Sequence, residues 1–311
     1  MTTLPLPPFS TLLKSRDVED PINIYVHRPL AYAFVAAIYR TPMTPNMVTF
    51  LSIIVGMVSG IMFLTGTPTA MVVAGICLWT SAILDGADGF LARAKNLSSP
   101  FGRALDGSAD MVVAIVTVIP AVIHLWLKHH DPLLLALAVP TIALTTVHLS
   151  AYDYFKESFL RRTRVGQGGE GEDPAEAAKR TQEARGWFMR FVYERIFLPY
   201  LETQKRYITF LDPAAQREGK RPVVDERTAA IYRKRNLLPM RLWAIISLAP
   251  HAYLMSIAAM ADRIDLYFWL RLVGMNAVFV LAILLQRRAT HRTQEELSAI
   301  GAADELVAVP A

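Results

Sequence analysis

A single cysteine, Cys77, rules out any disulfide within the chain. The seven histidines fall at no metal-ligand spacing, which argues against a zinc centre. Only His148, inside an apolar run, invites a role, and packing explains it more simply than catalysis. Charged residues make up only 19% of the 311 positions, and carboxylates are almost missing from the long apolar runs. A divalent-ion channel or transporter would need acidic side chains spread along a path, and there is no such path. The first twenty residues, with Pro5, Pro7, Pro8 and alternating charge, lack a signal peptide's basic start and apolar centre, so the start is expected to be retained.

What the chain has in abundance is hydrocarbon: 53% of its residues are hydrophobic, more than an ordinary soluble domain carries. Runs long enough to cross a bilayer fall near residues 46–65, 69–87, 104–127, 133–155, 238–260 and 265–286. The expected fold is therefore an all-α integral membrane protein with six transmembrane helices, an N-terminal interfacial amphipathic helix and a cytoplasmic helical insertion. The expected organisation is an N-terminal segment (1–45), transmembrane helices 1–4 (46–158), the insertion (159–237), transmembrane helices 5–6 (238–288) and a tail (289–311).

Ile22, Tyr25, Val26, Leu30, Phe34, Ile38 and Tyr39 recur at near-helical intervals among His27, Arg28 and Arg40, the pattern of a helix lying in the membrane interface. Thr44-Pro45 reads as the cap and first turn of the first span, and Ser99-Pro100 as those of the third. Lys14, Arg16, Arg28, Arg40, Arg93, Lys95 and Arg103 lie on one side of the spans, and only Lys128 and Arg263 on the other. The positive-inside rule then puts both termini in the cytoplasm. A net charge of +5 with these positions beside apolar runs fits anionic lipid headgroups and does not call for nucleic acid.

Four carboxylates break the apolar pattern where the second and third spans meet. Asp85 and Asp88 are three apart and Asp106 and Asp110 four apart, so on helices each pair shares a face, separated by roughly 5–6 Å. Anions this close call for protons or cations, and oxygen donors without His or Cys suit Mg²⁺, Mn²⁺ or Ca²⁺. Arg93 adds a forked cation suited to a diphosphate. Gly89 and Ala92 lack bulk, which either admits a planar base or phosphate or serves close helix packing.

Together Asp85, Asp88, Gly89, Ala92, Arg93, Gly102, Asp106 and Asp110 fill the pattern D-x-x-D-G-x-x-A-R-x8-G-x-x-x-D-x-x-x-D without departure. The stretch resembles the CDP-alcohol phosphatidyltransferase family, with a looser likeness from about Pro42 to Tyr154. The resemblance implies an enzyme of phospholipid biosynthesis in which an acceptor hydroxyl attacks a CDP-linked donor, first of all CDP-diacylglycerol, and CMP departs. It implies two ions of Mg²⁺ or Mn²⁺ on Asp85, Asp88, Asp106 and Asp110, with Asp110 also the base, and donor binding by Gly89, Ala92, Arg93 and Gly102. Asn46 either contacts the nucleotide or only caps its helix. The family also implies a homodimer acting on membrane lipid, and the positive-inside rule puts the aspartates, like the termini, on the cytoplasmic side. A choline/ethanolamine-type donor is the alternative. Intramembrane prenyltransferases fit less well, since their acidic motifs lie far apart in the chain.

The 159–237 segment holds more than half of the 32 Lys and Arg residues. Gly166 to Asp173 reads as a tether, and Glu176 to Phe210, with Phe188, Phe191, Val192, Arg195 and Ile196, as an amphipathic helix. Arg161 and Arg162, with Arg164, serve either an anionic acceptor or a basic membrane edge.

Overall fold

The computed structural model describes residues 5–13, 15–98, 100–165, 194–195, 198–215 and 224–308, and all regular structure among them is helical. After a short turn of helix, α1 (Phe9–Leu12), and a π-helical turn (Asn23–His27) comes α2 (Arg28–Ile38). There follow α3 (Pro45–Thr65), α4 (Pro68–Ala94), α5 (Pro100–His129) and α6 (Pro132–Thr163). Beyond these lie α7 (Leu198–Leu211), α8 (Glu226–Ile245), α9 (Leu248–Met260), α10 (Ile264–Trp269), a π-helical segment (Leu270–Met275) and α11 (Asn276–Ala308). Six stretches of these helices are long and apolar enough to cross a membrane. The protein is an all-α integral membrane protein.

The faces of α3 show why these helices need lipid. Thr49, Ser52, Gly56, Ser59, Gly60 and Phe63 point inward, while Phe50, Ile54, Met57, Ile61 and Leu64 are exposed. Small and polar residues inside with bulky apolar ones outside reverse the arrangement of a water-soluble helix and suit hydrocarbon. The small residues let backbones touch: a Cβ on Gly60 would lie 1.9 Å from the Val116 carbonyl oxygen of α5. Ser59 donates to the Ala74 carbonyl and Ser81 to the Ser52 carbonyl, both at 2.8 Å, tying α3 to α4. Gly66, in the left-handed conformation at φ 69°, ends α3, and Thr67 caps α4 one residue later by accepting from the Ala70 amide.

The chain forms two compact units, Met1–Thr145 with Ser247–Asn276, and Thr146–Ile246 with Ala277–Ala311. In the first, one cluster gathers Phe63, Met71, Ala74, Leu78, Ala121, Leu125, Met255, Ala259, Tyr267 and Phe268. A second gathers Leu12, Ala31, Val35, Tyr39, Val48, Leu84, Ala87, Phe90 and Leu91. The latter buries the N-terminal segment and follows the sequence expectation in part: Tyr39 is buried and Phe34 and Ile38 pack against the cluster, while Tyr25, Val26 and Leu30 are exposed and His27, Ala31 and Val35 are buried beside the expected residues.

The second unit holds α7, anchored by buried Leu201, Ile208 and Leu211, and α8. Hydropathy places the start of the fifth span near residue 238, yet its helix begins at Glu226, capped by Asp225, whose carboxylate accepts from the Thr228 amide at 2.7 Å. Arg227, Arg233, Lys234 and Arg235 mask this extension in the sequence, while Ala229, Tyr232 and Asn236 bury its inner face. The proposed tether and Phe188, Phe191, Val192 and Ile196 lie outside the described residues; Arg195 is described and exposed.

Candidate metal centre

Helix α4 does not stop where its apolar run does. It continues through the acidic motif to Ala94, so Asp85 and Asp88 lie on successive turns of one face. Its end is fixed by local chemistry: Asn96 adopts φ 53°, and the Leu97 amide donates to the Ala92 carbonyl at 2.8 Å, a left-handed helix termination suited to asparagine. The Lys95 ammonium donates to the carbonyls of Thr41 and Met43 at 2.9 and 2.8 Å, pinning the approach to α3. Within a few residues α5 begins at Pro100 and places Asp106 and Asp110 in its second and third turns.

One carboxylate oxygen each from Asp85, Asp88 and Asp106 lie within 4.8 Å of one another. Asp110 also acts electrostatically on Asp85 but is not one of the three whose oxygens meet within that distance. Asp88 is buried at 5% exposure. Carboxylates gathered this closely repel one another, and a cation between them would relieve the repulsion. Oxygen-only donors at this spacing fit hard divalent cations, and the group fits Mg²⁺ or Mn²⁺ on the chemistry of its donors.

Two residues outside the sequence expectation complete the wall. Thr49, on α3 and 3% exposed, donates its hydroxyl to Asp88 Oδ2. Asn46 sits one turn earlier on the same helix face, which places it toward this wall. Thr44 caps α3 by accepting from the Met47 amide at 3.3 Å, so Asn46 is not the cap. Arg28, from the start of α2, pairs through Nε and Nη2 with both Glu19 oxygens at 2.9 Å. Its guanidinium carbon lies 5.6 Å from the Phe90 ring centroid, and that of Arg93 lies 5.2 Å from the same ring. Arg93 is held by a 2.8 Å hydrogen bond from Nε to the Leu12 carbonyl. Thr49 follows Asn46 by one turn, a spacing that could have flagged it; nothing local to Glu19 or Arg28 points to the aspartates.

Among the described residues, a Cβ on Gly89 would meet only the Arg93 guanidinium within 4 Å, at 3.5 and 3.8 Å, so the smallness of Gly89 leaves space in front of Arg93. Ala92 shares its helix, and Gly102 lies in the first turn of α5. Arg161 and Arg162 belong to the second unit, in the last turn of α6, where the Arg162 guanidinium lies 4.8 Å from the Tyr232 ring centroid.

Residues 42–169 match the family model described as CDP-alcohol phosphatidyltransferase. No match to a curated protein was found.

Proposed function

We propose, taking residues 42–169 as a segment of the CDP-alcohol phosphatidyltransferase family, whose members are CMP-releasing phosphotransferases, that this enzyme moves a phosphatidyl group from CDP-diacylglycerol to an acceptor hydroxyl. The observation that carries this reading is the meeting of Asp85, Asp88 and Asp106 oxygens within 4.8 Å at the interface of two spanning helices.

Asp85, Asp88, Asp106 and Asp110 would hold two divalent ions, Mg²⁺ or Mn²⁺. Bound there, such ions supply Lewis-acid polarisation of the phosphoryl oxygens and neutralise the departing phosphate. The remaining work belongs to the protein's own side chains. Arg93 grips the diphosphate through its fork, and the space left by Gly89 and Ala92 lets the nucleotide approach α4. Asn46 and Gly102 border the nucleotide from α3 and α5. Asp110, at the far end of the acidic pair on α5, accepts the proton of the attacking hydroxyl. The acceptor oxygen then forms its bond to the lipid-bearing phosphorus while the bond to the CMP oxygen breaks. Catalysis of this kind rests on positioning and electrostatics.

Arg161 and Arg162 are the acceptor residues in this reading, suited to an anionic alcohol such as glycerol phosphate or inositol phosphate. The basic residues flanking the same ends of the spans support a cytoplasmic aspartate cluster, where nucleotide-activated substrates occur.

The test is direct. Purified protein in detergent or vesicles is given CDP-diacylglycerol, Mn²⁺ and a panel of glycerol phosphate, inositol phosphate, serine and inositol, and CMP and lipid products are measured. CMP release that needs metal, stops with chelator and is lost in Asp106→Asn is the expected result. Turnover that survives chelation overturns the metal assignment, and turnover only with CDP-choline or CDP-ethanolamine plus diacylglycerol reverses the donor assignment.

A further inference from the structure

We propose that Arg287, Arg288, His291 and Arg292, just beyond the apolar part of α11, form a binding site for the phosphate headgroup of an anionic membrane lipid. The site belongs to the second unit and is separate in the chain from the acidic motif, so it does not depend on the functional reading above.

Continuity of one helix face is the first argument. Val280, Leu281 and Leu284 are about half exposed, a stripe of bulky apolar side chains turned outward as suits hydrocarbon. At helical spacings of three and four the same stripe continues through Arg287, Arg288, His291 and Arg292, all exposed. Headgroup phosphates lie where hydrocarbon gives way to water along a spanning helix, so the face turns basic at the level of those anions.

Availability is the second. Arg287 is anchored, since its Nε donates to the Leu211 carbonyl and its Nη2 to the Phe210 carbonyl, the latter at 3.0 Å. Arg288 and Arg292, one turn apart, have no hydrogen bond or ion pair among the described residues. Glu295, the carboxylate that shares this surface, approaches His291 at 3.4 Å and leaves the three arginines in surplus. Together the five side chains line a shallow depression of about 330 Å³, room for a headgroup phosphate held by forked donors. The third is the neighbour. Phe210, whose carbonyl holds Arg287, is itself exposed, and aromatic rings beside cations are typical of the membrane interface. Inorganic phosphate gains nothing from the apolar stripe that ends at Leu284, whereas the acyl chains of a lipid lie along it.

Full-length protein in neutral detergent is to be titrated with phosphatidylglycerol, phosphatidylcholine or inorganic phosphate, with bound lipid counted by native mass spectrometry and the thermal midpoint followed in parallel. The variants are Arg288→Gln combined with Arg292→Gln and, as a control for lost charge, Arg227→Gln combined with Lys234→Gln, two exposed cations of α8. The wild type is expected to prefer phosphatidylglycerol to phosphatidylcholine. Its phosphatidylglycerol affinity should fall roughly thirtyfold in the Arg288 and Arg292 variant and stay nearly unchanged in the control, with all lipid-free midpoints alike.

An unchanged phosphatidylglycerol affinity in the arginine variant overturns the assignment, as does a wild type that binds both lipids equally. An equal loss in the control overturns it too, because diffuse charge would then account for the binding. Inorganic phosphate that displaces phosphatidylglycerol at equal concentration replaces the lipid by a free anion. Salt puts the same question without a variant: added salt should weaken phosphatidylglycerol binding to the wild type and spare phosphatidylcholine, and phosphatidylglycerol binding indifferent to salt overturns the proposal.

Discussion

Thr49 and Asp88, thirty-nine residues apart and on neighbouring spanning helices, share a buried hydrogen bond in which the hydroxyl donates to the carboxylate. This bond takes one lone pair of Asp88, a carboxylate that also offers an oxygen to the group with Asp85 and Asp106. A hydroxyl in this place fixes the direction of a metal-binding carboxylate, as outer partners of metal ligands commonly do. Thr49→Val keeps the shape and removes the donor. The expected effect is a rise of about tenfold in the Mn²⁺ concentration needed for half-maximal CMP release, with the thermal midpoint nearly unchanged. A lowered midpoint with an unaltered Mn²⁺ dependence would make Thr49 a packing residue only.

Glycines in this protein do two different jobs, and substitution tells them apart. Gly60 faces the Val116 carbonyl so closely that a methyl group would sit 1.9 Å from its oxygen, and backbone must move to admit it. Gly60→Ala is expected to cost roughly 3 kcal/mol or to prevent folding, read as a lost or lowered thermal midpoint in detergent. Among the described residues Gly89→Ala meets only the Arg93 guanidinium, at ordinary contact distance of 3.5 Å or more, and alanine favours the helix by about 1 kcal/mol. That variant should be at least as stable as the wild type and yet bind CDP poorly. Full activity in Gly89→Ala would remove the nucleotide from this face of α4.

Much of this arrangement could be read in the sequence because lipid imposes simple rules. Apolar length gave six spans, and the fixed spacing from Asp85 to Asp110 gave the acidic centre, since two helices ending near each other leave few other ways to place those side chains. Three features escaped for physical reasons. The Glu226–Asn236 extension is polar on its outer face, so a hydropathy window averages it away while its inner residues remain buried. The inner face of α2 includes Ala31 and Val35 beside the partly buried Phe34 and Ile38, and the small Ala31 does not stand out in a pattern read from the larger apolar residues. Contacts such as Glu19 with Arg28 join elements of the N-terminal segment whose folding path no local period specifies.

His27 offers a pH test of that N-terminal packing. It is 3% exposed, and its ring meets Trp79 of α4 and Tyr253 of α9 edge-on at 5.5 and 5.9 Å. Burial, aided by the adjacent Arg28 charge, lowers its pKa from 6.5 to about 4. Across that window the unfolded chain takes up a proton that the folded protein refuses. Stability from this residue is therefore complete above pH 6.5 and falls as pH drops toward 4, by up to about 3 kcal/mol. Asp20, which accepts from the Tyr253 hydroxyl at 3.4 Å, has its pKa raised by burial and shifts stability in the opposite sense. The thermal midpoint of the wild type should fall on acidification through this range more steeply than that of His27→Phe. Parallel curves would mean that the imidazole is protonated within the fold.

In the second unit, α8 and α11 are joined by a buried polar ladder where hydrocarbon packing alone would give little specificity. Asn236 donates to Thr293 Oγ1 at 3.1 Å and accepts from Gln286 Nε2 at 3.0 Å, while Gln286 Oε1 accepts from the Trp243 indole at 3.2 Å. Thr290 extends the ladder by donating to Asp212 at 2.6 Å. Each group is satisfied by the next, so removing one member strands its neighbours, whereas removing two facing members strands fewer. Asn236→Leu alone is expected to lower stability by about 2 kcal/mol, and Gln286→Leu by a similar amount. The double variant should cost clearly less than the sum, a coupling of about 1 kcal/mol in a double-mutant cycle on unfolding in detergent. Additive losses would show that the two amides are held independently, and the register of α8 on α11 would then have to come from Trp243 and the apolar residues around it.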